Sequence, residues 1–268
     1  MAESIFIADG DRFMPTEHAR GPWDPGALHG GAPAALITAA FERIDPGAEL
    51  RIGRLSFELL RPIPMAPLTL VARVVRPGRR VQELSAELLA EDQLIVRAGA
   101  LRVQAVGEDV AAAEASEGDS GAGPDVAMAP PESAKPEPFT LNGSPDASFA
   151  GTAMEMRWLG DPWQLGPGRV WMRLRHPLLP GQELTPLARL VATADFCNGV
   201  SAALPFDRFL FINADLTIHL QRLPVGEWIG LDARTRLCEG GPALAEGVLH
   251  DRLGPVGRAF QTLVVQAR

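Results

Sequence analysis

The chain has 268 residues, a net charge of −8, 46% hydrophobic and 22% charged residues. At roughly 100–200 residues per domain this fits two domains, or one domain built twice, and excludes a wholly disordered or fibrous chain. Two cysteines exclude a disulfide scaffold, and the longest apolar run, Ala32 to Phe41, is interrupted by Pro33 and falls far short of the ~20 residues of a membrane helix.

The N-terminus, Met-Ala-Glu-Ser-Ile-Phe-Ile-Ala-Asp, has no basic segment followed by an apolar core, so a cytoplasmic protein is expected. Next, His29-Gly30-Gly31 leads to Pro33, and Leu36, Ile37, Ala40, Phe41 and Ile44 recur at helical spacing, which predicts a helix. Strand-like runs follow at Leu50 to Arg61, Leu68 to Val75, Val81 to Ala90 and Leu94 to Gln104. Val106 to Pro138 holds eight acids against the single Lys135 and carries −7 of the total charge of −8. Poor in large apolar residues, it reads as a disordered linker between a unit at 1–105 and a unit at 139–268. The acidic balance therefore belongs to a connector, and nothing points to a nucleic-acid partner. In the second unit Leu187, Leu190, Val191 and Ala194 predict a helix that Pro205 ends. Strand-like runs follow again, at Phe211 to Arg222, Trp228 to Leu237, Ala243 to His250 and Val256 to Val265. One helix followed by an antiparallel meander, twice over, predicts an α+β fold.

An offset of 161 positions brings Leu55, Leu59 and Arg61 onto Leu216, Leu220 and Arg222, and Arg97, Ala98 and Val103 onto Arg258, Ala259 and Val264. The alternation of Gly53, Leu55, Phe57 and Leu59 with polar residues matches that of Ala214, Leu216, Ile218 and Leu220, which argues for an internal repeat. At the same offset Ala34, Ile52 and Ala100 in the first half face Asp195, Asn213 and Gln261 in the second. Three changes from apolar to polar are what one silent and one active copy would give.

The sequence has no Gly-x-x-x-x-Gly-Lys loop, no Gly-x-Ser-x-Gly elbow and no Cys/His cluster at metal-ligand spacing, so no metal or cofactor is expected. Asp195 falls in the second helix, among Ala188, Val191, Ala192, Asn198, Gly199 and Ala202. A carboxylate on so small and apolar a stripe is partly desolvated, which favours a base; a local turn cap or a bond to an arginine would also account for it. Gly199 costs about 1 kcal/mol relative to Ala in a helix, which suggests a close approach at that surface. Asn213 and Thr217 share the polar parity of one strand, and Gln261 interrupts the apolar last strand. Cys197, two residues from Asp195, reads as a packing cysteine.

With Trp23-Asp24-Pro25-Gly26-Ala27-Leu28-His29-Gly30-Gly31 before a helix, Asp195 in the second helix, Asn213-Ala214-Asp215-Leu216-Thr217 on a strand and Gln261 near the end, the chain resembles the acyl-CoA thioesterase II family. The resemblance implies a double hotdog, each copy a long helix wrapped by a curled antiparallel sheet, that hydrolyses acyl-CoA without a cofactor and assembles as a dimer or tetramer. It implies a water held and activated by Asp195, Gln261 and either Asn213 or Thr217. Backbone N–H groups at Gly30 and Gly31, with His29 adding a hydrogen bond or capping the turn, would meet the oxyanion. Two rival activities are consistent with the same residues: a hotdog hydratase or dehydratase using His29 with Asp195, and a non-catalytic acyl-CoA-binding module.

Overall fold

The computed structural model describes residues 3–45, 49–107, 109–110, 127–139 and 147–268. The first half contains β1 (Phe6–Asp9), β2 (Arg12–Pro15), α1 (Gly31–Arg43), β3 (Leu50–Leu59), β4 (Leu68–Arg76), β5 (Val81–Ala90) and β6 (Gln93–Gln104). The second contains β7 (Lys135–Pro136), β8 (Met154–Trp158), β9 (Gly168–Leu174), α2 (Pro186–Ala194), α3 (Cys197–Val200), β10 (Phe209–Asn213), β11 (Asp215–Leu220), β12 (Ile229–Arg236), β13 (Ala243–Asp251) and β14 (Gly254–Ala267). The α+β expectation holds, and every strand run read from the alternation is a strand except Phe211 to Arg222, which is split at Ala214 into β10 and β11. The short hairpins β1–β2 and β8–β9 lacked a long enough alternation to be seen beforehand.

All strands form one antiparallel sheet in the order β1-β2-β4-β5-β6-β3-β11-β14-β13-β12-β9-β8-β7, with β10 also on β14. The halves meet at β3 and β11. There Ser56 pairs with Thr217, flanked by Leu55 with Ile218 and Phe57 with Leu216. Ser56 stands opposite its own repeat counterpart and the two flanking pairs are exchanged by the offset, so the junction is a local two-fold axis through Ser56 and Thr217. Leu55, Phe57, Leu216 and Ile218 are all buried at the junction, and a fully buried side chain of this size contributes roughly 1.5–3 kcal/mol. The 161-residue offset is therefore a symmetry of the molecule as well as of the sequence.

That symmetry extends to a defect in the strands. At Gly53 the pairing of β3 with β6 slips between Ile52↔Arg102 and Arg54↔Leu101. At Ala214 the same slip recurs, between Asn213↔Leu263 and Thr217↔Phe260. Such a bulge inserts one extra residue and turns the following side chains to the other face.

The helices do not share the offset. The helix-to-strand connection spans 201–208 in the second half against 44–49 in the first, and Ala34 is the fourth residue of α1 whereas Asp195 follows the nine residues of α2. Pairing Ala34 with Asp195 is thus incorrect. The helices lie against one another on the inner face of the sheet, α1 over β4 and β5, α2 over β9, β12 and β13.

The boundary at 138/139 also moves. Residues 127–138, expected to be linker, lie across the outer face of the second half, and Phe139 after them enters the main core. Trp171 is fully buried there and donates its indole N–H to the Ala129 carbonyl at 2.7 Å. Met128 packs with Ala134, Trp171 and Trp228, and β7 pairs with β8. The expected disorder of the remaining linker, at 108 and 111–126, lies outside the described residues.

Candidate active site

Asp195 does not lie inside a helix. It is the C-cap of α2, where the chain leaves the α-helix and re-forms one turn as α3. The break swings its carboxylate toward the N-terminus of α1, and the side chain is only 4% exposed. Gly30 allows this approach: a Cβ there would lie 2.9 Å from Asp195 Oδ2. Gly31 does the same for the main chain, since its Cβ would meet the Ala192 carbonyl at 2.8 Å. Gly199, by contrast, would meet nothing, so the close approach expected there is found at Gly30 and Gly31 instead.

Three side chains hold the carboxylate. Asn213 Nδ2 donates to Oδ1 at 2.7 Å. Gln261, fully buried, donates from Nε2 to Oδ1 at 3.1 Å and to the Asp195 main-chain carbonyl at 3.0 Å. Its Oε1 accepts from the Asn198 N–H at 3.1 Å, which fixes the amide's orientation because the flipped amide would set two donors against each other. On the other oxygen, His29 Nδ1 lies 3.0 Å from Oδ2. The imidazole is held by Phe196 and Phe149, with ring centroids 4.3 and 5.0 Å away.

Thr217 is not part of this cluster. The bulge at Ala214 puts Asn213 on the helix side of the sheet with the buried Phe211, while Thr217, between the buried Leu216 and Ile218, faces the other way. The common parity assigned to Asn213 and Thr217 fails for that reason. Asn198, which also donates to the Phe211 carbonyl at 3.4 Å, is a supporting residue that the sequence offered only as one of a small stripe.

The Gly31 N–H points to His29 Nδ1 at 3.1 Å. That nitrogen has a single in-plane position, so it either accepts from Gly31 or, when it carries the proton, donates to Asp195 Oδ2 at 3.0 Å and leaves the Gly31 N–H free. With that proton on the imidazole, Asp195 is a carboxylate whose Oδ1 is saturated by two amides and whose Oδ2 retains one free lone pair. Cys197 is fully buried, and burial, reinforced by the Asp195 charge, pushes its thiol far above the ordinary range. It is a packing residue without thiolate character at neutral pH.

The two-fold axis relates this site to the opposite ends of the same helices. There Thr185, the N-cap of α2, donates its hydroxyl to Glu42 Oε2 at 2.5 Å. Burial pushes the Glu42 carboxyl up, against the pull of Thr185 and Arg102. A cleft of about 260 Å³ opens beside it, walled by Phe13, Leu36, Leu70, Leu178 and Leu179. Among the described residues no counterpart of the Asn213 and Gln261 amides stands there, because Ile52 and Ala100 occupy their repeat positions.

The family described as acyl-CoA thioesterase C-terminal domain matches residues 127–265, and that described as acyl-CoA thioesterase N-terminal domain matches residues 19–103. No curated protein matches the chain. Among solved structures, a hot dog fold protein of unknown function from Alicyclobacillus acidocaldarius is similar with a TM-score of 0.70 at 18% identity, covering 98% of this chain and 95% of that one. An acyl-CoA thioesterase II from Mycobacterium marinum is similar with a TM-score of 0.62 at 17% identity, covering 100% and 94%. A tesB protein from Mycobacterium avium subs paratuberculosis gives 0.62 at 15%, covering 98% and 96%. At these identities the structures speak for the fold, a double hotdog. The two family matches, which take in both halves and every residue around Asp195, show that the chain belongs to the acyl-CoA thioesterase family and is a thioester hydrolase.

Proposed function

We propose that the chain hydrolyses an acyl-CoA thioester to the free acid and CoA, with Asp195 as general base. The observation that carries this reading is the buried carboxylate with Oδ1 doubly hydrogen-bonded and one lone pair left on Oδ2. A water on that lone pair loses a proton to Asp195 as its oxygen bonds to the thioester carbonyl carbon. The carbonyl oxygen gains charge near the N-terminus of α1, whose dipole favours an anion. Collapse of the adduct breaks the C–S bond and releases the CoA thiolate, which takes up the proton. Asn213 and Gln261 fix the base, and His29 holds it from the opposite half. The first half, lacking the two amides, is the silent copy, and assembly into a dimer or tetramer belongs to the same reading.

The test is Asp195→Asn, which keeps shape and hydrogen bonds but removes the basic lone pair. Thiol release from acyl-CoAs of short, medium, branched and aromatic chains should fall by about 10²–10⁴ on the best substrate. Turnover within threefold of the parent would exclude Asp195 as the base. One observation favours a second reading: the His29–Asp195 contact at 3.0 Å joins an imidazole of one half to a carboxylate of the other, a pair suited to adding water across an enoyl-CoA double bond. Enoyl-CoA consumption without thiol release would select it.

A further inference from the structure

A second cluster of ionisable side chains joins the halves at the end of the N-terminal segment. Glu3 and His18 come from the first half and His176 from the loop after β9, and each offers one ligand atom, all within 4.8 Å of one another. The His18 and His176 rings are stacked, with centroids 4.2 Å apart and planes 20° apart.

His18 has a polar partner at each ring nitrogen. Its Nδ1 lies 3.0 Å from the Thr152 hydroxyl oxygen. That hydroxyl also lies 2.8 Å from the Ser148 carbonyl, and its oxygen accepts from the Ser148 N–H at 3.2 Å. The same hydroxyl can give its hydrogen to Nδ1 or accept from it, so either ring nitrogen of His18 can carry the proton. In the neutral ring with the proton on Nε2, that nitrogen donates to the Glu3 carboxylate 3.2 Å away, and a metal ion that takes the place of this proton would be bound by both groups.

We propose that Glu3, His18 and His176 form a metal site for Zn²⁺ or a similar borderline divalent cation, which clamps the N-terminal segment to the second half. Two neutral imidazoles and one carboxylate are a donor set suited to zinc rather than to magnesium or calcium. The contact of His18 Nδ1 with Thr152 would be the outer hydrogen bond that orients a metal-binding imidazole. Ligand atoms around a tetrahedral zinc are about 3.3 Å apart and the ion lies in the plane of each imidazole, so binding has to turn His18 and His176 out of their stack and draw the exposed Glu3 side chain in. The clamp reinforces contacts already in place: Ile5 N–H donates to the Pro177 carbonyl and Phe6 N–H to the Leu178 carbonyl, at 3.0 and 2.9 Å.

The experiment uses the full chain without an affinity tag, in a Cys238→Ser background to remove the exposed thiol, stripped with a chelator. Zn²⁺ is titrated calorimetrically and Co²⁺ by its visible absorption. One equivalent should bind with a Kd of about 10 µM or tighter. At a hundredfold excess over Kd, Zn²⁺ should raise Tm by about 5 °C. His18→Gln and His176→Gln should each abolish binding and the Tm shift, and Glu3→Gln, which alters an exposed side chain, should weaken binding by about 10-fold or more. His219→Gln should leave both unchanged. Absence of binding in this range, or full affinity in Glu3→Gln or in either histidine variant, overturns the site.

Discussion

Gly30→Ala isolates the position of the base from its chemistry. Gly30 has helical angles, φ −58° and ψ −29°, so alanine fits the backbone there without strain. Its Cβ, however, would stand 2.9 Å from Asp195 Oδ2 and 3.3 Å from Cγ and Oδ1. Ordinary contact begins near 3.4 Å, so the carboxylate has to retreat by about 0.5 Å. It cannot do so along its own plane, because the Asn213 amide already stands at 2.7 Å on the far side. It must swing out, stretching the 3.0 Å contact to His29 toward the limit of a hydrogen bond. Displacements of this order at a reacting group cost about 10–100-fold in rate, or roughly 1.4–2.7 kcal/mol of barrier. Stability should change by less than about 1 kcal/mol, since alanine also lowers the entropy of the unfolded chain. Turnover at saturating acyl-CoA and a denaturation midpoint, measured on the same preparation, separate the two effects. A folded variant with the parent's kcat would refute the argument that Asp195 works only in its present place.

Other substitutions probe the surrounding residues. Gln261→Ala leaves the Asn198 N–H and the Asp195 carbonyl without their buried partner, so it should cost about 1–3 kcal/mol in urea unfolding and lower kcat more than it raises KM. Glu42→Gln keeps an acceptor for the Thr185 hydroxyl and removes a charge that burial disfavours; it should leave kcat within about twofold and stability at pH 7 unchanged or higher. A large loss of turnover would show that the symmetry-related site is active after all. Burial raises the Asp251 carboxyl, but the Arg222 guanidinium and the Val225 and Leu253 N–H groups outweigh it and hold the group below its ordinary value. A depressed native pKa contributes stability above the unfolded value of about 3.9 that is lost as pH falls through the native one. The parent should therefore exceed Asp251→Asn by about 2–3 kcal/mol at pH 5–8, with the gap closing at lower pH; a pH-independent gap would contradict the ion pair's role.

The repeat and its strands were legible because alternation and offset depend only on side-chain class, which the inner face of a sheet enforces at every second position. Asp195 and Gln261 were legible for the same reason: a carboxylate and an amide interrupt apolar positions. The choice between Asn213 and Thr217 was not. It turns on a bulge at Ala214, and neither alanine there nor Gly53 in the first half announces a slip in pairing. The break at Asp195 was equally silent, since the run from Leu187 to Val200 keeps helical periodicity through it. Residues 127–138 misled through composition: Met128 and Ala134 are few, yet each finds a prepared apolar surface. His18 and His176 could not be associated at all, because the contact between them depends on the docking of the two halves and not on their spacing along the chain.

The local two-fold axis at Ser56 and Thr217 has an evolutionary consequence. In an assembly of identical chains, every substitution is made twice, and a residue that improves one end of the helix pair is imposed on the other. Fusion of the copies removes that constraint. Gly30 could become a gap for a neighbour's acid while Thr185, its opposite number, became an ordinary cap; Asn213 could turn polar while Ile52 stayed greasy. The price of such specialisation is mutual dependence: neither copy, expressed alone, would own both the acid and the imidazole that steadies it.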